Sequence, residues 1–132
     1  MEAAAPLILV VDDEELIRWS LEQILGSDGH RVALAASGAE ALARAAEAAP
    51  DLCLLDLKLP DADGLELLPR LLEVAPRMQV IVMTAYGSAE IEAKARRLGA
   101  VEFLRKPVDP GVLCLLLKRL LEAGAGKEHR HG

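Results

Sequence analysis

Five short apolar stretches, each followed by a segment of helical spacing, constrain this chain more than any other feature. They are Leu7–Val11 (LILVV), Arg31–Ala35 (RVALA), Leu52–Leu55 (LCLL), residues 79–83 and residues 101–104. Runs this short do not make free-standing helices and read as strands buried on both faces. The second is the weakest, since it contains Arg31 and two alanines. Strands that alternate with helices pair in parallel and are joined by right-handed crossovers, with helices over both faces of the sheet. The expected fold is a doubly wound α/β domain with a five-stranded parallel sheet in the order 2-1-3-4-5. Its ligand crevice would open at the carboxyl ends of strands 1 and 3.

The helices are marked by their ends. Asp13, Glu14 and Glu15 suit the positive end of a first helix, whose core face is Ile17, Leu21, Ile24 and Leu25, and residues 26–29 (GSDG) stop it. Ser37 and Glu40 have the spacing of a capping box, and the Ala-rich helix that follows runs to about Ala48, before Pro50. Asp63 and Glu66 repeat that spacing for a third helix, closed by Pro76. Pro69 inside it predicts a bend or a late regular start. A fourth helix over residues 88–98 has a thin apolar face (Ile91, Ala95, Leu98) and a left-handed stop at Gly99, so it is expected to be the least firmly held. Asp109 caps a fifth helix to about Ala123. Residues 1–123 then form one domain, and residues 124–132 read as a flexible tail or the start of a linker.

Bulk properties exclude several function classes. Hydrophobic residues are 52% of the 132, and the aromatic share is only 2%, so the core must be aliphatic. The net charge of −6 and the lack of a basic run argue against nucleic-acid binding by this domain. No apolar run approaches the ~20 residues that span a bilayer, and no basic leader is present. Cys53 and Cys114 both lie in apolar runs and read as buried free thiols of a cytoplasmic protein.

The polar residues at the strand ends carry the chemistry. Asp12 and Asp13 end strand 1, Asp56 ends strand 3, Thr84 ends strand 4 and Lys106 follows strand 5. In the order 2-1-3-4-5 all five gather on one rim. Two carboxylates ~5 Å apart repel by roughly 3 kcal/mol at an effective dielectric near 20. Three together need raised pKa values or a cation. Hard oxygen ligands suit Mg²⁺, which keeps open positions for water and phosphate. A carboxylate in such a place can act as a nucleophile and form an aspartyl phosphate. Lys106 and the Thr84 hydroxyl would then meet phosphoryl oxygens.

The runs VVDDEELIR, LLDLKLPDADGLELL, VIVMTAYGS and FLRKPVD, in that order, resemble the receiver domain of bacterial two-component response regulators over about residues 7–123. The resemblance implies a flavodoxin-like (βα)5 fold and transfer of a phosphoryl group from a sensor histidine kinase to Asp56. It implies Mg²⁺ held by Asp13 and Asp56 directly, by Asp12 through water and by the backbone carbonyl of Lys58. It further implies that Thr84 and Lys106 hold the phosphoryl oxygens, that Phe103 swings inward as Thr84 moves, and that the Lys106–Pro107 bond is cis. Such a domain catalyses its own phosphorylation and slow dephosphorylation without being an enzyme towards other substrates. The IRW and MTAYGS runs are most similar to regulators of the nitrogen-regulation class, which carry an ATPase and a DNA-binding domain after the receiver; no such output domain lies within these residues.

Other residues leave alternatives open. Trp19 lies about 200° around its helix from Ile17, either covering its own surface or meeting a partner. Val112 and Leu115 fall off the core stripe of Leu113, Leu116, Leu117 and Leu120, which suggests an interface, with a homodimer through the fourth helix, fifth strand and fifth helix as one form. Tyr86 either gates Asp56 or shields its loop. His30, His129 and His131 read as surface groups, and Met78 and Met83 as packing residues. Three rival functions are weaker. An aspartyl-phosphate phosphatase would carry D-x-D-x-T after strand 1, where this chain has DDEE. A flavin-type cofactor binder would carry a Ser/Thr/Gly-rich loop there. A receiver fold acting only as an interaction module would not need all five site residues.

Overall fold

The computed structural model describes residues 5–131, with side chains to Gly124. The strands are β1 (Leu7–Val11), β2 (Arg31–Ala35), β3 (Leu52–Leu55), β4 (Gln79–Thr84) and β5 (Ala100–Arg105). They alternate with helices α1 (Glu15–Ser27), α2 (Gly38–Ala48), α3 (Gly64–Val74), α4 (Ala89–Arg97) and α5 (Pro110–His131). All pairings are parallel, in the order β2-β1-β3-β4-β5, as the alternation predicts.

The pleat divides the core in two. Leu9, Val11, Cys53, Leu55, Val80 and Val82 join the cluster packed under α2, α3 and α4. Their neighbours Ile8, Val10, Leu52, Leu54, Ile81 and Met83 join the cluster under α1 and α5. Successive side chains on a strand point to opposite faces, so both sheet faces are lined with aliphatic groups. This explains why β1 and β3 read as unbroken apolar runs rather than alternating ones.

Caps set the helix starts near the rim. Ser37 Oγ accepts from the Glu40 amide at 3.2 Å, while Glu40 returns its bond to the Ala36 amide, one residue before the expected partner. Asp63 accepts from Leu65 rather than from Glu66. Pro69 lies inside α3, which is assigned as one helix from Gly64 to Val74. Gly99, with φ +119°, ends α4 in the left-handed region.

Three expectations are corrected. α5 extends to His131, past Ala123 where the apolar pattern stops, because a helix anchored by packed turns propagates at little cost per residue. His30 is not a surface group: its side chain is 10% exposed, drawn against α1 because its amide donates to the Leu25 carbonyl at 3.0 Å. Cys114 is half-buried rather than buried, one helical step between core-facing Leu113 and exposed Leu115. His129 and His131 lie outside the described side chains. Among the described residues no helix is long and apolar enough to cross a membrane.

Candidate phosphoacceptor site

Parallel strands deliver their carboxyl ends to one rim, and the structure brings Asp12, Asp13 and Asp56 together there. Their carboxylate oxygens lie within 4.8 Å of one another. Asp12 and Asp56 are buried, at 1% and 6% exposure, while Asp13 is exposed. The backbone of Asp12 is held from two sides: its amide donates to the Ala35 carbonyl at 3.1 Å, and its carbonyl accepts from Arg18 Nη1 at 2.8 Å. Its carboxylate Oδ1 accepts from the Glu14 amide at 2.9 Å. The Asp56 amide donates to the Val11 carbonyl at 2.9 Å, and its Oδ1 accepts from the Lys58 amide at 3.3 Å.

Lys106 resolves part of the charge problem. Its Nζ lies 2.5 Å from Asp12 Oδ2 and 3.2 Å from Asp56 Oδ2, so one ammonium bridges the two buried carboxylates. Burial works against the Lys106 charge, but the hydrogen bond to Asp12 and the charges of Asp12 and Asp56 outweigh it and hold its pKa above the ordinary lysine value. The sequence placed Lys106 on the rim; its reach to Asp12, 94 positions away, needs the closed sheet. The Lys106–Pro107 peptide bond is cis, and the Lys106 amide donates to the Thr84 carbonyl at 3.0 Å.

On the other side of the rim Thr84 is fully buried, and its Oγ1 accepts from the Tyr86 amide at 3.1 Å. Phe103 pairs with Val82 and Arg105 with Thr84 in the β4–β5 register. Phe103 therefore shares the α4 face of the sheet with Val82 and Thr84. Its ring is in the inward position, 8% exposed, beneath the backbone of Gly87, where a Cβ would lie 3.0 Å from the ring edge. Lys58 Nζ lies 4.1 Å from the Tyr86 ring centroid, a cation–π contact that joins the loops after β3 and β4. A cleft of about 440 Å³ opens between them, lined by Leu57, Leu59, Leu65, Thr84 and Ile91 among others.

Trp19, Val112 and Leu115 are not part of this rim; they are 57%, 56% and 66% exposed on α1 and α5. Leu16, 72% exposed one turn before Trp19, extends the α1 patch and was missed because only Trp19 stands out by composition. Arg18 and Asp61 were also missed. Each acts on backbone groups, which side-chain patterns do not reveal. Cys53 is sealed in the core, and burial pushes its thiol pKa far up, so it takes no part in the chemistry.

The donor set fits a hard divalent cation, since it offers three carboxylates, two of them buried. The sequence matches the response regulator receiver domain family over residues 8–118. It is 39% identical over 102 residues to sporulation initiation phosphotransferase F of Bacillus subtilis, covering 77% of this chain and 82% of that protein. It is 36% identical over 115 residues to the DNA-binding transcriptional regulator NtrC of Escherichia coli, covering 87% of this chain but 24% of that protein. The chain thus spans about a quarter of the length of that relative. Among solved structures, the CheY-like receiver domain protein of Methanospirillum hungatei superposes with a TM-score of 0.90 at 36% identity, covering 93% of this chain and 98% of that one. A family match over residues 8–118, which runs from β1 into α5, places this chain in the response regulator receiver domain family.

Proposed function

We propose that the chain accepts a phosphoryl group on Asp56 from the phosphohistidine of a sensor histidine kinase and switches the surface formed by α4, β5 and α5. The observation that carries this reading is Asp56 itself: a buried carboxylate at the end of a central strand, grouped with two others and bridged to a lysine. An Asp56 oxygen attacks phosphorus, the P–N bond to the histidine breaks, and the imidazole leaves with the electron pair. Asp12, Asp13, Asp56 and the Lys58 carbonyl would hold Mg²⁺, which supplies charge neutralisation for the incoming phosphoryl group. Lys106 and the Thr84 hydroxyl donate to the phosphoryl oxygens.

When Thr84 turns to the phosphoryl group, its side chain moves away from the Tyr86 amide. The Phe103 ring is already inward at 8% exposure, and the movement of Thr84 would free space beside it and bias it to stay there. The chain acts as a phosphoacceptor that also hydrolyses its own aspartyl phosphate, and its output is transcriptional control through a linked domain or a homodimer, the reading supported by relatives such as NtrC. Incubation with Mg²⁺ and acetyl phosphate followed by intact-mass measurement is the test. One labile phosphoryl adduct is expected, lost in Asp56→Asn. An adduct that survives Asp56→Asn, or none in the unaltered chain, overturns the proposal.

A further inference from the structure

The loop between β3 and α3 carries the Lys58 carbonyl, and contacts outside the acidic rim fix its shape. At the base, the Gly64 amide donates to the Leu57 carbonyl at 2.8 Å, and Lys58 and Asp63 form an antiparallel bridge. At the tip, the Asp61 carboxylate reaches a different helix. Its Oδ1 accepts from the Gly38 amide at 2.7 Å and its Oδ2 from the Ala39 amide at 3.1 Å. These are the first two amides of α2, which have no partner inside their own helix. Ser37 takes the Glu40 amide, so the helix's own cap leaves the first two to Asp61. Gly38 makes the approach possible: a Cβ there would lie 3.0 Å from the Ala62 Cβ and 3.3 Å from Asp61 Oδ1. The two backbone donors, of Gly38 and then Ala39, hold the Asp61 carboxyl below its ordinary pKa.

The start of α2 is tied to the acidic rim from its other side as well. It follows β2, whose last residue, Ala35, accepts the amide of Asp12 at 3.1 Å. Residues 35–39 therefore touch the backbone of Asp12 at one end and, through Asp61, the loop bearing Lys58 at the other.

We propose that Asp61 is a positioning residue for the divalent cation: it latches the loop to α2 and so holds the Lys58 carbonyl in register with Asp12, Asp13 and Asp56. The inference rests on the reading of that rim as a Mg²⁺ site. Asp61 itself touches no reacting group. Without the latch, cation binding must order the loop as well as fill the site, and affinity falls while the chemistry at Asp56 is retained. Partners one step outside the ligands commonly change metal affinity by about 10- to 100-fold; an exposed latch belongs at the lower end.

The test is titration of the whole chain with Mn²⁺, followed by loss of the free-ion electron paramagnetic resonance signal, alongside the Mg²⁺ dependence of phosphorylation by acetyl phosphate. Asp61→Ala is expected to raise the Mn²⁺ dissociation constant about tenfold. It should raise the half-saturating Mg²⁺ concentration by a similar factor and change the rate at saturating Mg²⁺ far less. Asp61→Asn, which keeps one acceptor oxygen, falls between, and it carries the test if the alanine variant does not fold. Gly38→Ala, which presses on the latch without removing the carboxylate, weakens binding in the same direction. A merely structural role would lower Tm without separating affinity from maximal rate. Unchanged Mn²⁺ affinity in Asp61→Ala, with weakened affinity in Asp13→Asn, overturns the latch and leaves the cation site standing. No Mn²⁺ binding by the unaltered chain overturns both.

Discussion

The loop after β3 is closed at its base by Gly64 against Leu57 and pinned at its tip by Asp61. The loop after β4, by contrast, meets its surroundings through the Tyr86 amide on Thr84, the exposed Tyr86 ring under Lys58, and Gly87 over Phe103. The helices that follow differ in the same sense. α3 buries Leu67, Leu68 and Leu71, each contributing roughly 1.5–3 kcal/mol; α4 buries only Ala95. The acidic half of the rim is thus set in place before any ligand arrives. Across the rim, α4 is held by that one buried side chain, and such regions open at low free-energy cost. A switch needs both: a fixed place for the charge and a loosely held element that responds to it.

The largest effect should come from breaking the fixed half. A Cβ on Gly64 would lie 2.5 Å from the Leu57 Cα and 2.9 Å from the Asp56 carbonyl oxygen, and backbone cannot step aside. Gly64→Ala is expected to cost about 3 kcal/mol in urea unfolding and to abolish phosphorylation. Hydrogen exchange sharpens the contrast without mutation: amides of α4 should exchange about two orders of magnitude faster than those of α3, and equal protection would remove the distinction. In the responsive half, a Cβ on Gly87 would meet the edge of the Phe103 ring at 3.0 Å and Arg105 Nε at 3.4 Å, side chains that can give way. About 1 kcal/mol is expected, together with shifted proton resonances of Phe103, the only phenylalanine.

The smallest effect is the pH dependence of the Asp61 latch. Its folded pKa is lowered, so its contribution is complete above the ordinary aspartate pKa near 3.9 and is lost as pH falls through the lower folded value. The stability difference between the unaltered chain and Asp61→Asn should therefore hold from neutral pH down to about 4 and vanish in stronger acid. A difference that grows on acidification would contradict the latch.

Most of the frame was legible because its signals are local. Five apolar runs, Ser37 and Asp63 as caps, and Gly99 as a stop each act within a few residues of themselves. The gathering of Asp12, Asp13, Asp56, Thr84 and Lys106 was legible too, since strand order alone decides which ends meet. What stayed hidden depends on tertiary approach. Lys106 between Asp12 and Asp56, Asp61 on the amides of α2, and Arg18 on the Asp12 carbonyl all join groups whose partners no pattern in the chain announces. His30 was misread for the same reason: its burial comes from a backbone bond back to Leu25, and nothing in its neighbours' polarity reveals it.

The pleat of the sheet has a genetic consequence. Leu54 and Leu55 are adjacent in the chain, yet one packs under α1 and α5 and the other under α2, α3 and α4. Second-site suppressors of a defect at Leu54 are to be sought on α1 and α5, and those of a defect at Leu55 on the opposite three helices. Residue parity along β3 thus becomes a map of which surface of the protein a core lesion damages.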